Sequence, residues 1–222
     1  MRSGGSSDNI MHILITAGPT REFIDDVRYL SNASSGQMGY ALAIAAAAAG
    51  HQVVLISGPT LLSPPAGCEF HGIETTAEML AACESVWPDC DGVIAAAAVC
   101  DYRPAQRIAG KIAKTGNGLT LDLVETPDIL ATLGATRGTR WNVGFALEAQ
   151  DAYARAIKKL QRKHCDAIVL NHPSAIGASE NTVELLLPSG ESAAHWSGRK
   201  SEIAILLIAW IEANLRNDLD SH

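Results

Sequence analysis

A chain of 222 residues with 47% apolar side chains is long enough to bury one substantial core, so one domain is expected and two is the upper bound. Its 17 Lys and Arg against 24 Asp and Glu leave a net charge of −7. That balance argues against a general nucleic-acid binder, yet leaves room for a small anion held by a few lysines. The five cysteines, Cys68, Cys83, Cys90, Cys100 and Cys165, are odd in number and form no Cys-x-x-Cys pair. A disulfide framework or zinc site is therefore not expected, and a reducing cytoplasm suits the chain.

Residues 1–10 are Gly/Ser-rich and read as a disordered head or cloning remnant, and 217–222 as a disordered tail, which leaves 11–216 as the domain. No secretory signal is visible. The apolar run Ile203–Ile211 lies between Glu202 and Glu212 and is too short to span a bilayer, so no membrane partner is expected. Ile13–Thr16 reads as a buried first strand. A long loop follows and leads into an alanine-rich helix, Gln37–Ala49, stopped by Gly50. Gln52–Ser57 is a second strand, and Gly58-Pro59-Thr60 echoes Gly18-Pro19-Thr20 after the first. Glu69–Ile73 reads as a short strand, Thr76–Val86 as a helix, and Gly92–Val99 as a small-residue strand buried on both sides. Asp101–Gly118 shows no periodicity; with Arg103, Arg107, Lys111 and Lys114 it is either a mobile basic lid or a solvated surface loop. Leu119–Val124 alternates like a strand. Asp128–Leu133 is a short helix preceded by Pro127. Asn142–Ala146 and Asp166–Leu170 are strands flanking the helix Ala152–Lys163. Thr182–Leu187 and Glu191–Trp196 form a hairpin across Pro188-Ser189-Gly190. Lys200–Leu215 is a last helix with Ile203, Leu206, Leu207, Trp210 and Ile211 at helical spacing. Strands alternating with helices imply a three-layer Rossmann-like α/β fold: a mainly parallel sheet, helices on both faces and a C-terminal β-hairpin.

The chain is organised around Thr16–Gly39. Nineteen residues separate Thr16 from Gly36, far more than a structural strand-to-helix connection needs. Ser34, Ser35 and Gly36 fall at a helix N-terminus, where unpaired N–H groups and the helix dipole favour an anion. A phosphate or nucleotide cradle is one reading, a simple serine cap the other. No Gly-x-Gly-x-x-Gly turn follows the first strand, no carboxylate ends the second, and no P-loop, His-Glu-x-x-His or Gly-x-Ser-x-Gly occurs. What remains is a set of polar and cationic groups suited to catalysis by positioning and charge stabilisation.

Four blocks, Thr16–Arg21, Arg28-Tyr-Leu-Ser-Asn-Ala-Ser-Ser-Gly-Gln-Met-Gly39, Ala97-Ala-Val-Cys-Asp-Tyr-Arg103 and Val143–Glu148, closely resemble phosphopantothenoylcysteine synthetase, the phosphopantothenate–cysteine ligase family. The resemblance implies ligation of 4′-phosphopantothenate to L-cysteine in coenzyme A biosynthesis, with Mg²⁺ and, from the bacterial spelling of the blocks, CTP, through an acyl-cytidylate. It implies nucleotide contacts at Gly18, Ser34, Gly36, Gly39, Ala95, Ala96, Ala97, Asp101, Lys111, Val124, Glu125, Thr126, Pro127, Phe145, Lys159, Lys163 and Asn171. It places Asn32, Ala97, Ala98 and Asp101 at the pantothenate site, brings Arg28 there from a second subunit of a homodimer, and gives Asn32 and Lys111 catalytic roles. No metal ligand on the protein is implied. Ala33, Gln37 and Ala113 replace a histidine and two lysines common in the family, which bears on phosphate affinity. Cys100 reads as a small filler, since substrate cysteine supplies the nucleophile. A flavin-dependent decarboxylase is a possible associate, with the chain either stand-alone or an excised half. The competing reading is a non-catalytic nucleotide-binding or assembly protein of the same fold.

Overall fold

The computed structural model describes residues 10–147, 151–171 and 180–216. The expected tail and residues 1–9 of the expected head lie outside these. Ile13, Leu14 and Ile15 are fully buried in β1 (His12–Ala17), an apolar run that faces helices on both sides. Two short strands follow, β2 (Arg21–Phe23) and β3 (Tyr29–Ser31), paired antiparallel. Then come α1 (Gln37–Ala48), β4 (Gln52–Ser57), β5 (Cys68–Gly72), α2 (Thr76–Val86) and β6 (Gly92–Ala95). The second half contains β7 (Tyr102–Pro104), β8 (Leu123–Glu125), α3 (Ile129–Ala135), β9 (Trp141–Leu147), α4 (Ala152–Arg162) and β10 (Ala167–Asn171). It closes with β11 (Glu180–Leu186), β12 (Ser192–Arg199) and α5 (Lys200–Asn214).

The eight-stranded sheet runs β12-β11-β10-β9-β6-β1-β4-β5. From β10 to β5 every pairing is parallel; β11 and β12 add antiparallel strands at one edge. The chain winds outward from β1 to β5, then crosses back to β6 on the other side of β1. The strand order reverses there, and doubly wound sheets bind ligands at such a point. The three-layer fold expected from the sequence is present. Helices α1 and α5 cover one face through Leu42, Ala43, Ala46, Leu207 and Ile211 against Ile13 and Ile15. Helices α2, α3 and α4 cover the other through Met79, Leu133 and Leu160 against Leu14 and Ile56. Truncating one such side chain, as in Leu42→Ala, costs about 2–5 kcal/mol.

The alanines of α1 have a purpose. A Cβ on Gly39 would lie 2.4 Å from the Ala17 Cβ, so the helix rests almost on the strand backbone. The echoed Gly-Pro turns also pack on each other: a Cβ on Gly58 would lie 1.8 Å from the Pro19 carbonyl oxygen. Thr75 and Glu78 close a capping box on α2.

Four expectations change. The long loop after β1 contains the β2–β3 ribbon. The strand expected over Gly92–Val99 ends at Ala95, because residues 96–98 peel off to follow the outgoing turn of β1: Ala96 N–H bonds Thr16 O at 3.2 Å and Ala98 N–H bonds Gly18 O at 2.9 Å. The strand expected over Leu119–Val124 is only Leu123–Glu125; it pairs with β7 in a separate ribbon, and β7 lies inside the segment read as aperiodic. Finally, α3 starts at Ile129, not Asp128, because the Asp128 carboxylate caps it by accepting from Ala131 N–H at 3.2 Å.

Candidate active site

The C-terminal ends of β6, β9 and β10 open with the N-terminus of α1 onto a cleft of about 190 Å³. Ala33–Gly39 form one wall, Ala96–Ala98 the next, and Phe145, Ala146, Leu147, Asn171, Asn181 and Lys200 the remainder. Ser34, Gly36, Gly39, Ala96, Ala97, Ala98, Phe145 and Asn171 are thereby brought together. Gly18 lies directly beneath, its Cα 3.3 Å from where a Gly36 Cβ would stand, and Ala95 ends the strand below Ala96.

The serines do not cap α1. Its N-cap is Gly36, at φ +74°, with no side-chain cap; a Cβ there would meet the Thr60 methyl at 2.7 Å. The Ser34 hydroxyl instead accepts from Gly36 N–H at 3.3 Å. The helix ladder begins with Tyr40 N–H on Gly36 O, so the amides of Gln37, Met38 and Gly39 belong to the first turn, which has no intrahelical acceptors. They face the cleft walls as a ready anion site.

Asn32 stands at the mouth. Its amide nitrogen donates to Ala98 O at 3.2 Å and Val99 O at 2.8 Å, which commits both N–H groups to the edge of the Ala96–Ala98 wall. Donation to a reacting oxygen would require giving up one of these bonds. Cys100, behind that edge, is buried; its amide bonds Thr20 Oγ1 at 2.9 Å, and burial pushes its thiol pKa up, as befits a filler.

The segment read as lid or loop is anchored at its root to the turn between β2 and β3. The Asp26 carboxylate accepts from Arg107 Nη2 at 2.9 Å and from Gly110 N–H at 2.7 Å. Asp25, fully buried, accepts from Ile112 N–H at 3.0 Å, from Val27 and Arg28 N–H, and from Arg28 Nη1 at 2.9 Å. Arg28 Nη2 also donates to Ile112 O at 3.1 Å. Lys111 is exposed between two residues held in this way. Burial alone would raise the Asp25 pKa; the Ile112, Val27 and Arg28 amides and the Arg28 guanidinium outweigh it and leave it below the usual carboxylate value. The Asp26 pKa is lowered by the Gly110 amide first and then by Arg107. Arg28 is therefore engaged within its own chain.

Asp101 and Val124–Pro127 adjoin one another: Thr126 N–H bonds Asp101 O at 3.0 Å, its hydroxyl bonds Cys100 O at 2.5 Å, and Glu125 pairs with Tyr102. This ribbon does not line the cleft. Nor do Lys159 and Lys163 on the α4 side of the sheet; Lys163 Nζ lies 3.0 Å from the Asp128 carboxylate. Among the described residues no cluster of acidic, His or Cys side chains could hold a metal, and no helix is long and apolar enough to cross a membrane. Sequence reasoning missed Asn181 and Lys200. The available signal was a polar residue at an inward position of an alternating strand: Asn181, Val183 and Leu185 are all buried on β11.

A doubly wound α/β protein with an anion-receptive cleft at its switch point is the class that this fold and site define. The chain belongs to the family described as DNA/pantothenate metabolism flavoprotein C-terminal domain, whose model matches residues 9–215. It is 45% identical over 184 residues to the coenzyme A biosynthesis bifunctional protein CoaBC of Bacillus subtilis, covering 81% of this chain and 45% of that protein. To the Escherichia coli protein of the same name it is 40% identical over 189 residues, 82% of this chain and 47% of that one. The chain thus spans about half the length of these curated relatives. A crystal structure of the C-terminal domain of CoaBC superposes with a TM-score of 0.81 at 37% identity, covering 96% of this chain and 100% of that one.

Proposed function

We propose that this chain is a phosphopantothenate–cysteine ligase that uses CTP and Mg²⁺ to make phosphopantothenoylcysteine for coenzyme A biosynthesis in the cytoplasm. The observation that carries the reading is the uncapped N-terminus of α1, presented with the Ala96–Ala98 wall at the sheet's switch point in a chain of this family. Two anions, phosphopantothenate and CTP, must meet there, and their repulsion has to be offset. The first-turn amides of α1 take phosphate oxygens, and Lys111, on the segment anchored by Asp25 and Asp26, supplies a positive charge. Asn32 holds the Ala98–Val99 edge against which pantothenate lies, with Asp101 beside it. The phosphopantothenate carboxylate attacks the α-phosphorus and pyrophosphate leaves; the amine of L-cysteine then attacks the acyl-cytidylate and CMP leaves. Mg²⁺ bound to the triphosphate would offset its charge, and the residues that would face it are neutral oxygens of the cleft, including the Oδ1 atoms of Asn171 and Asn181, which have no partner among the described residues. Nucleotide roles for Lys159 and Lys163 belong to the same reading; Lys163 would then exchange its pairing with Asp128.

A homodimer fits the exposed apolar side chains of Tyr29, Tyr102, Leu119, Leu123 and Val124 on and beside the two small ribbons. Arg28, whose side chain is 41% exposed, would serve a neighbouring subunit's substrate site through the guanidinium N–H groups that Asp25 and Ile112 leave over. The bifunctional relatives make association with a flavin-dependent decarboxylase reasonable. The deciding experiment measures pyrophosphate release with CTP and with ATP, each with and without phosphopantothenate. Release with CTP only when phosphopantothenate is present supports the ligase; nucleotide binding without release in any arm identifies a non-catalytic binder.

A further inference from the structure

Asn181 poses a problem that the ligase reading alone does not resolve. It is 5% exposed, its Oδ1 has no hydrogen-bond partner among the described residues, and it lines the cleft. Asn171 Oδ1 is buried and unpartnered in the same way. The two strands are antiparallel neighbours with Asn171 opposite Val183, so Asn181, two residues from Val183, shares that face. Lys200, first residue of α5, lines the same end of the cleft, and its ammonium donates to Gln37 Oε1 at 3.1 Å, at the first turn of α1. Burial lowers the Lys200 pKa, as expected for an ammonium drawn toward a cleft. This end therefore holds donors for an anion (Lys200 and the α1 amides) beside two buried acceptors. Phosphate oxygens at neutral pH only accept, so they cannot satisfy asparagine carbonyls. A group carrying N–H or O–H must reach them, or each leaves a buried polar atom unpaired.

Resting on the ligase reading, we propose that Asn181, Asn171 and Lys200 form the subsite for the β- and γ-phosphates of the nucleotide and their hydrated divalent cation. Lys200 and the first-turn amides of α1 take the phosphate oxygens. Mg²⁺ gives up its waters reluctantly, and those waters donate to the Asn171 and Asn181 oxygens. Neutral carbonyls suit such a position because they orient the hydrated ion without competing with the polyphosphate for it. The subsite holds the group that departs as pyrophosphate inside the cleft, whereas Asp101 and Lys111 stand outside its lining.

Isothermal titration calorimetry with CTP and CMP, each with Mg²⁺ or with EDTA, tests this on the wild type, Asn181→Ala and Lys200→Gln. CMP lacks the tail but keeps base and ribose. With Mg²⁺ both variants are expected to weaken CTP binding about tenfold or more while leaving CMP within about twofold. In EDTA the Asn181→Ala effect disappears and the Lys200→Gln effect persists. The proposal is overturned if CTP affinity is unchanged in both variants, if CMP weakens equally, as contact to ribose or base requires, or if Asn181→Ala is equally damaging in EDTA. It is likewise overturned if Asn181→Ala leaves CTP unaffected and weakens L-cysteine instead. Asn181→Ser, smaller but still polar, with a thermal melt on each variant, separates misfolding from loss of the contact. Wild-type protein that bound neither nucleotide would sink the ligase reading itself.

Discussion

Asn32 spends its whole amide nitrogen on two carbonyls, Ala98 O and Val99 O. An aspartate there donates nothing and sets a negative charge against both oxygens. Asn32→Asp is expected to lower stability by about 1 kcal/mol, the worth of an exposed hydrogen-bond pair. If the edge it holds positions phosphopantothenate, overall turnover falls on the order of a hundredfold while CTP binding survives. Chemical unfolding and a turnover assay measure the two effects separately; full turnover in the variant would remove Asn32 from the site. The cysteines offer a second residue-scale test. Burial, the leading cause at each, pushes the thiols of Cys83, Cys90 and Cys165 up to about 12. At neutral pH on the order of one in ten thousand or fewer is thiolate, the reactive form. Native protein treated with iodoacetamide should therefore be modified at partly exposed Cys68 before these three, and all five should react once it is unfolded. Rapid labelling of Cys165 in the native state would contradict this packing.

At the scale of elements, the approach of α1 to β1 sets where the N-terminus of α1 stands at the cleft. A methyl at Gly39 meets the Ala17 Cβ at 2.4 Å and the Ala17 Cα at 3.0 Å, neither of which can swing aside. Gly39→Ala should cost about 1–3 kcal/mol and push the helix N-terminus off the cleft. Thermal unfolding reports the first effect and CTP titration the second; an unperturbed variant would mean that the helix slides freely. The anchoring of residues 107–112 by Asp25 and Asp26 carries a pH prediction. Asp25 and Asp26 both have folded-state pKa values below their ordinary ones. The unfolded or released carboxylates therefore protonate first. Their contribution is fully present above about pH 4 and is lost as pH falls through the lower folded values. Hydrogen exchange at Gly110 and Ile112 should accelerate below about pH 4, relative to its intrinsic rate, before the sheet opens. Asp26→Asn should reproduce that loosening at neutral pH.

Across the whole molecule, the exposed side chains of Tyr102, Leu123 and Val124 lie on a two-stranded ribbon outside the main sheet. Such a ribbon has little stability alone and gains from a partner. Light scattering at assay concentration should give the mass of two chains. Val124→Glu, which charges the exposed face without touching the core, should shift that mass toward one chain and reduce turnover with it. A fully active monomer would rule the dimer out.

Much of this architecture is written locally. Ile13–Ile15 and Val53–Ile56 are apolar without alternation because each strand is covered on both faces, and a strand's burial is a property of its own consecutive side chains. Ser34–Gly39 announced a special helix start for the same reason: glycine marks backbone that approaches something closely. The ribbons were hidden because strands of three residues are too short to show a period of two; β7 exists because it pairs with β8 across a long loop, not because of its own pattern. The sequence alone determined the doubly wound layers and the position along the chain of the long loop and glycine-marked helix start. Only tertiary structure decided that Asp26 would hold Gly110, that Gly36 and not a serine would begin α1, and that Lys200 would meet Gln37 across a separation of 163 residues. Apolar burial is encoded segment by segment; which charge faces which carbonyl is set only when the sheet brings distant segments to one edge.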